Sequence, residues 1–478
     1  MNLILLHLIF LLVGMFVLYA SRNNNLNQVF YIMICFVSLI FAILISNTID
    51  VAKPNSIDVY NIIQDIPISF GLDFLGIIFL FISNSLWLMV SLFSLSYLKL
   101  NSYQEKYKFY FFFTLAMFST NAIIYSSNIL TTFIFYEILT LSTYPLVTFK
   151  NNEESLKKGK IYLYYLLGTS IIFFLPAMII TYLISGTLDY TNGGFLQNQD
   201  HSILFLLFIL YLFGVAKSAL MPFHKWLPSA MVAPTPVSAL LHAVAVVKSG
   251  VFILMKIILL VFGSTTLLST GLDTVLITLA SLTIIISSII AIYQDNIKLR
   301  LAYSTIGQLS YILLATAIMS SYSILAAVLH LIFHALGKVM LFLSAGIITT
   351  QTGIKKVSEM DNLSAKLPYT CLVILVGAFI MIGLPPTIGF ISKWYLISGI
   401  IDSGKINILI IILVSTLLNA GYYFPMIYRS YFKTAPISNV SSVENIGLIL
   451  PVLLIAVVSV LLFFNVDFII NFINRYIF

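Results

Sequence analysis

Stretches of about 20 apolar residues recur along nearly the whole chain, and that recurrence limits the fold more than any single motif. A helix needs roughly that length to cross the hydrocarbon of a bilayer, where every backbone polar group must be bonded inside the protein. Windows of this length give fourteen predicted spans, at 3–20, 29–47, 75–98, 109–126, 129–149, 161–184, 202–223, 236–262, 272–293, 301–319, 322–348, 370–400, 406–430 and 447–470. The chain is 60% hydrophobic and only 9% charged, too few charges to cover a soluble domain. The expected class is therefore an all-α polytopic membrane protein. The longest polar stretch, 48–73, is too short to bury a core of its own. The first span lacks a basic leader and a clean cleavage site, so it reads as a helix and not a signal peptide. Cys35 and Cys371 lie inside apolar spans and are expected to be inert thiols outside any disulfide framework.

The net charge of +7 follows from sidedness and not from nucleic-acid binding. Numbering the loops alternately, one side collects sixteen Lys and Arg residues and the other only Lys53, Lys405 and Arg475. The remaining five of the 24 basic residues are lysines inside spans: Lys217, Lys248, Lys256, Lys338 and Lys393. So strong a positive-inside bias places both termini on the outer, periplasmic side of the cell (inner) membrane. The outer loops carry Asp50, Asp58, Asp65, Asp189, Asp200, Asp273 and Asp402.

Two spans contain helix breakers. Span seven reads YLFGVAKSALMPFHKWLP, with Pro222 five residues after Lys217, and span twelve reads GAFIMIGLPPTIGFISKWYL, with Pro385 and Pro386 before Lys393. Proline removes a backbone donor and crowds the preceding turn, so both helices should break there. Span twelve comes five positions after span seven, an odd step, so the two broken helices run in opposite directions. Paired breaks of this kind point to inverted repeats around a mid-membrane site. The expected organisation is one transmembrane domain over 1–478. It comprises helices one to three (1–108), a repeat of helices four to eight (109–262), a second of helices nine to thirteen (272–430), and helix fourteen (447–470).

Ionisable groups inside spans cost about 2.5–3.5 kcal/mol each on insertion scales, and they mark pathways more often than packing. Glu137, in TTFIFYEILTLSTYPLVTF, lies 13 residues from Lys150 at the inner end, roughly 20 Å along a helix. Lys217 falls at a similar depth and is its expected partner, with a static assembly pair as the plain alternative. A lysine withdrawn from water can release its proton, which makes Lys217 and Lys248 credible carriers. Closing the pair would hold Lys217 protonated, and opening it would release the proton. In span eleven, HLIFHALGK places His330, His334 and Lys338 at i, i+4 and i+8 along one helical face, a spacing suited to stepwise proton transfer. Two histidines at i, i+4 resemble zinc ligands, yet the sequence supplies no third ligand or HExxH glutamate, so no metal is expected. His242 is a further relay candidate, equally compatible with core packing. Lys393, nearer the outer face, fits a terminal step or snorkelling to the interface. Lys256 is expected to snorkel. There is no P-loop, no dinucleotide fingerprint and no cysteine run for an iron–sulfur cluster, so no cofactor and no intrinsic redox site is expected.

At these residues a family likeness emerges. GVAKSALMPFHKWLPSAMVAPTPVSALLHA, together with FYEILTLSTYPLV, YSTIGQLSY, HLIFHALGKVMLFLSAGII and LPPTIGFISKW, resembles the antiporter-like membrane subunits of respiratory complex I and of Mrp-type sodium/proton antiporters. The likeness runs from about residue 70 to 430. It implies fourteen helices, inverted repeats and broken helices seven and twelve. It also implies Glu137 and Lys217 as a modulating ion pair, Lys248 as central carrier, His334 and Lys338 in a connecting line, and Lys393 in the terminal proton site. Many relatives carry only one of His242 and Lys248, so either can be the central carrier here. Lysine at 393, where one complex I subunit type has an acid, points first to the D-type component of Mrp antiporters. A complex I component (NADH–quinone oxidoreductase) or a membrane-hydrogenase component comes second. The chain as given shows no long lateral-helix extension. Expected partners are other membrane subunits of one complex, H⁺ with Na⁺ as the further ion to test, and the lipid bilayer, with no nucleic acid. A structural subunit with a vestigial charged line and a self-sufficient permease are the competing classes.

Overall fold

A backbone surrounded by lipid must bond itself, and helix follows helix in consequence. The computed structural model describes every residue except 1, 25, 49–55, 64–65, 198, 435–442 and 478. The chain begins with α1 (Leu3–Ala20) and α2 (Asn27–Thr48), then β1 (Ile57–Ile63) and β2 (Ile66–Phe70). Next come α3 (Phe74–Leu100), α4 (Lys106–Tyr125) and α5 (Ile129–Val147). α6 (Glu153–Thr169) passes through a π-helical turn into α7 (Leu175–Ser185). α8 (His201–Gly214), α9 (Trp226–Ser229) and α10 (Thr235–Ala239) are short. A π-helical turn at Leu240–Val244 joins α10 to α11 (Val246–Lys256), and a second leads to α12 (Gly263–Thr270). There follow α13 (Leu272–Tyr293), α14 (Ile297–Ile318), α15 (Ser321–Thr352), α16 (Pro368–Ile382), α17 (Ile388–Asp402), α18 (Ile408–Phe432), α19 (Ile446–Phe464) and α20 (Val466–Ile477). Among the described residues, 11 helical runs are long and apolar enough to cross a membrane. The other expected spans fall on α4 and on two interrupted helices, α8 and the α16–α17 pair.

Side-chain caps set several starts. Asn128 accepts from the Thr131 amide at 2.8 Å to open α5, and Asp73 accepts from Gly76 at 2.7 Å to open α3. The expected division of 301–348 is real. Met319 takes a left-handed φ of 61°, and Ser320 then caps α15. α14 and α15 form the centre, each 94% buried over its most apolar window, against 33% for α2. α15 packs against α3, α14, α16, α17 and α19.

Both breaks occur, but the first begins earlier than its proline requires. α8 stops at Gly214, eight residues before Pro222. A 3₁₀ turn over Ala216–Ser218 follows, and the freed Ala216 carbonyl is taken by the Trp226 indole N–H at 2.9 Å. The second break runs from Gly383, at φ 82°, through Pro385 and Pro386 to Ile388. The Met221–Pro222 and Pro385–Pro386 peptide bonds are cis.

One feature was not foreseen and one expectation needs correction. Within the polar stretch 48–73, β1 and β2 pair antiparallel, a hairpin favoured by β-branched residues in IDVYNII and IPISF. The predicted last span, 447–470, ends at Phe464, where polar Asn465 and Asp467 interrupt it. α20 then forms a short amphipathic helix with Ile470 and Ile473 buried and Asp467 and Asn471 exposed. Asp50, Lys53 and Asp65, counted among the outer-loop charges, lie outside the described residues.

Candidate functional site

The interruption of α8 puts Lys217 on an isolated 3₁₀ turn in the protein interior, fully buried. Its Nζ donates to the Tyr136 carbonyl at 2.7 Å and to Thr140 Oγ1 at 2.6 Å, and lies 3.1 Å from the centre of the Tyr136 ring. Glu137 is the next residue on α5, yet no ion pair joins the two. Both Glu137 carboxylate oxygens are buried with no hydrogen-bond partner among the described residues. The two charges still act on each other, and Ser170 lies beside the carboxylate, but the ammonium itself reaches a carbonyl, a hydroxyl and an aromatic face. The turn is held close to α11 by Gly250, where an added Cβ would sit 2.3 Å from the Lys217 carbonyl carbon.

Lys248 follows on α11, 1% exposed, with Nζ donating to the Leu331 carbonyl of α15 at 2.8 Å. That carbonyl lies between His330 and His334. The imidazole rings of these two are 6.1 Å apart and nearly parallel, so the predicted shared face is formed. His334 and His242 are fully buried, and none of their ring nitrogens has a hydrogen-bond partner among the described residues. His242 sits on the π-helical turn before α11, 4.5 Å from the Phe342 ring. His330 contacts Gln308 Oε1 at 2.9 Å through Nε2 and Ser392 Oγ at 3.0 Å through Nδ1. The Gln308 amide nitrogen donates to the Met381 carbonyl, so its oxygen can only accept, and His330 Nε2 must carry a proton. Ser392 also reaches the Gly389 carbonyl at 3.0 Å. If Ser392 donates to His330, the ring is neutral. If it donates to Gly389, both ring nitrogens donate and the ring is charged. The site therefore accommodates either state by rotating one hydroxyl.

Lys338 is fully buried and donates to Ser304 Oγ at 2.8 Å, Tyr423 Oη at 3.1 Å and the Leu301 carbonyl at 3.1 Å. Lys393 ends the line, 6% exposed, donating to the Ile382 carbonyl at 2.7 Å and Thr416 Oγ1 at 2.9 Å, with the Tyr311 ring 5.3 Å away. It does not snorkel. The break between α16 and α17 frees the Ile382 carbonyl, and Lys393 occupies it.

Lys256 corrects the expectation of an interface anchor. It is 1% exposed, paired with Asp73 at 2.9 Å and donating to the Ser126 carbonyl at 2.7 Å. Its apolar stem suggested snorkelling, whereas the fold brings the N-terminus of α3 to it. Lys298, counted by sequence among inner-loop charges, instead tucks its Nζ toward the Ala233 carbonyl at 2.9 Å and Ser238 Oγ at 3.4 Å, one turn before His242. YSTIGQLSY also contributes residues that sequence reasoning missed. Its Ser304, Gln308 and Tyr311, spaced i, i+4 and i+7 on α14, meet Lys338, His330 and Lys393 in turn. That helical spacing of polar residues in a buried helix was the available signal.

A family model described as NADH:quinone oxidoreductase/Mrp antiporter, transmembrane, matches residues 126–419, which include Glu137, the buried lysines and His242, His330 and His334, though not Asp73 or Tyr423. NADH-quinone oxidoreductase subunit N of Desulforudis audaxviator is 33% identical over 346 residues, covering 71% of this chain and 68% of that protein. Putative antiporter subunit mnhA2 of Staphylococcus saprophyticus is 29% identical over 389 residues, but the chain spans only 48% of its length. Among solved structures, a chain of the archaeal membrane-bound sulfane sulfur reductase superposes with a TM-score of 0.87 at 23% identity, covering 99% of this chain and 96% of that one. A chain of the Mrp complex from Dietzia sp. DQ12-45-1b gives 0.86 at 19% identity, covering 100% and 97%. These two share the fold. With a transmembrane architecture, a buried Glu, Lys and His set and this family match, the chain belongs to the NADH:quinone oxidoreductase/Mrp antiporter membrane-subunit family.

Proposed function

We propose that the chain is a proton-translocating subunit of a multisubunit monovalent cation/proton antiporter, carrying H⁺ from the Glu137–Lys217 region through Lys248, His334, His330 and Lys338 to Lys393. The observation that carries this reading is that Lys217, Lys248, Lys338 and Lys393 are all buried, and that the hydrogen bonds of each ammonium go to carbonyls and hydroxyls and none to a carboxylate. A buried ion held for architecture is normally paired, because an uncompensated charge in an apolar interior is costly. Here a proton added to Lys248, Lys338 or Lys393 arrives as net charge, which its neighbours feel in a medium that screens poorly, and at Lys217 the nearby Glu137 carboxylate sets how firmly it is held. Histidines between them can take up and pass on that proton. With its ammonium on Tyr136 and Thr140, Lys217 is free to discharge. Rotation toward the Glu137 carboxylate would lock its charge in place, so the pair acts as the switch at the head of the line.

The opposed breaks in α8 and α16–α17 support two inverted repeats, helices four to eight and nine to thirteen, with the line running between them. The basic loops support both termini on the outer side of the cell membrane. Other membrane subunits complete the machine, with Na⁺ as the counter-ion to test. A redox-driven pump is the second reading, favoured by the likeness to subunits named NADH-quinone oxidoreductase. The complex reconstituted in vesicles separates the two: a Na⁺ gradient drives H⁺ movement in the first, NADH oxidation in the second. Lys248→Ala is expected to abolish most H⁺ movement in either case. Unchanged flux in a fully assembled Lys248→Ala complex would refute translocation along this line.

A further inference from the structure

Helices α1 to α4 precede the residues that the family model matches and take no part in the line of buried lysines. One end of this four-helix group carries a cavity of about 550 Å³. It lies where α1 ends at Ala20, α2 starts at Asn27, α3 ends at Leu100 and α4 starts at Lys106. The ends of spanning helices mark the depth at which lipid headgroups meet water.

Three cations line this cavity. Arg22 follows the end of α1, Lys99 comes from the last turn of α3 and Lys106 opens α4. None of them is ion-paired with an acid among the described residues. The lining holds a single acid, Glu105, and its carboxylate is already taken by Lys108 at 2.7 Å. Cations gathered at headgroup depth without an acid favour an anionic phosphate, and arginine adds a fork that matches phosphate oxygens.

Two further lining residues are buried and lack a partner. Asn27 is 5% exposed, and its Oδ1 has no hydrogen-bond partner among the described residues. Its Nδ2 donates to the Leu18 carbonyl at 2.8 Å and to Ser21 Oγ at 2.8 Å, so the amide cannot be flipped and Oδ1 can only accept. Tyr110 is 1% exposed and stacked on Tyr31 at 4.5 Å, and its Oη is likewise without a partner. Buried polar atoms of this kind call for a partner from outside the chain. An acceptor and a hydroxyl beside three cations fit a ligand that carries hydroxyl donors next to its phosphate. A choline headgroup fits poorly, because it has no donor for Asn27 and brings a fourth positive charge. An ethanolamine headgroup has donors but the same charge. The surroundings favour a lipid over a soluble phosphate. Exposed Val29, Met33 and Phe36 follow at i, i+4 and i+7 on α2, an apolar stripe that starts one residue past Gln28 of the lining.

We infer that this cavity is a binding site for an anionic phospholipid with a glycerol headgroup. Arg22, Lys99 and Lys106 hold the phosphodiester, Asn27 and Tyr110 take the headgroup hydroxyls, and an acyl chain lies along the α2 stripe.

The test uses the whole complex, washed in detergent and then exchanged into micelles containing phosphatidylglycerol, phosphatidylcholine or both. Lipid retained after a second wash is counted by mass spectrometry. Wild type is expected to retain phosphatidylglycerol in preference to phosphatidylcholine. Arg22→Gln/Lys99→Gln/Lys106→Gln should weaken that retention at least about tenfold and leave phosphatidylcholine unchanged. Tyr110→Phe keeps the ring on Tyr31 and removes only a hydroxyl that bonds to nothing in the protein. Its unfolding temperature in phosphatidylcholine should match wild type while phosphatidylglycerol retention falls severalfold, a pair of results that a packing role would not give. Should the triple variant fail to assemble, Tyr110→Phe decides alone. Equal retention of the two lipids by wild type would overturn the inference, as would unchanged phosphatidylglycerol retention in Tyr110→Phe. Displacement of the lipid by equimolar glycerol 1-phosphate would assign the cavity to a soluble phosphate and overturn it too. Loss of a co-purifying subunit from the triple variant, with bound phosphatidylglycerol unchanged, would give the cavity to a protein partner instead.

Discussion

Gly250→Ala perturbs the site without touching any ionisable group. The added Cβ would stand 2.3 Å from both the Lys217 carbonyl carbon and the Ser218 nitrogen, and 2.8 Å from Lys217 Cβ. Carbon atoms in contact settle at about 3.5 Å or more, so the 3₁₀ turn and α11 must part by roughly 1 Å. The clashing atoms are backbone and cannot rotate away. Overpacking of this kind costs about 1–3 kcal/mol. The same shift carries Lys217 away from Tyr136 and Thr140, now at 2.7 and 2.6 Å. Displacements near 1 Å can cost on the order of 100-fold where a transfer depends on alignment. The expected outcome is an assembled complex with a lower unfolding temperature in detergent and H⁺ flux reduced at least about tenfold. Gly168→Ala is the matched control, because a Cβ there meets nothing within 4 Å. In a helix that change should be neutral or stabilising by up to about 1 kcal/mol. Wild-type flux in Gly250→Ala would refute the claim that this contact positions Lys217.

Asp73→Asn should destabilise the protein by about 2 kcal/mol, below the range for a fully buried pair because the aspartate is partly exposed, by stranding the Lys256 ammonium. Thermal unfolding of Asp73→Asn/Lys256→Met should recover part of that loss. Tyr423→Phe removes one of the three acceptors on Lys338, so a cost of about 0.5–1.5 kcal/mol and slowed flux are expected, and unaltered flux would place Lys338 off the line. Gly383→Ala must adopt φ 82° and would bring Cβ within 2.7 Å of Lys393 Cδ, so loss of flux should accompany a cost of about 1–3 kcal/mol. In the loop before α14, donation from the Ser358 hydroxyl and amide holds the Asp295 carboxyl below its ordinary 3.8. A lowered folded value means its contribution is present above the unfolded value and fades as pH falls through the folded one. Asp295→Asn should therefore cost less than about 1 kcal/mol at neutral pH, and the difference should vanish in acid.

The helical architecture could be read from apolar length alone, because lipid leaves the backbone no other option. The five membrane lysines were also legible as charges without an obvious solvent. Their partners were not, and the reason is physical. Lys248 and Lys393 donate to the carbonyls of Leu331 and Ile382, and no property of a leucine or isoleucine side chain announces that its backbone accepts a lysine. Depth along a helix sets Lys217 level with Glu137, but depth carries no information on rotamer, and the ammonium bonds to Tyr136 and Thr140. Lys256 misled because a long stem near a helix end fits snorkelling and a buried pair equally, and Asp73 is far away in sequence. His7 of α1 escaped notice for a similar cause: its partners Tyr125 on α4 and Ser38 on α2 acquire meaning only when the helices are packed.

Each buried lysine of the line leans on a main-chain oxygen. Tyr136, Leu331 and Leu301 lie in the interiors of α5, α15 and α14, so their carbonyls already accept from the N–H four residues on and hold the lysine with a second lone pair. When such a lysine swings off, nothing is stranded, and the three positions can be vacated and refilled without an orphaned oxygen to compensate. Ile382 differs, because it ends α16 at a break and its carbonyl has no such N–H within the helix. Lys393 is then the one lysine of the four whose departure exposes a bare acceptor. On the proposed line, three stations would suit turnover, and the fourth would keep its lysine in place.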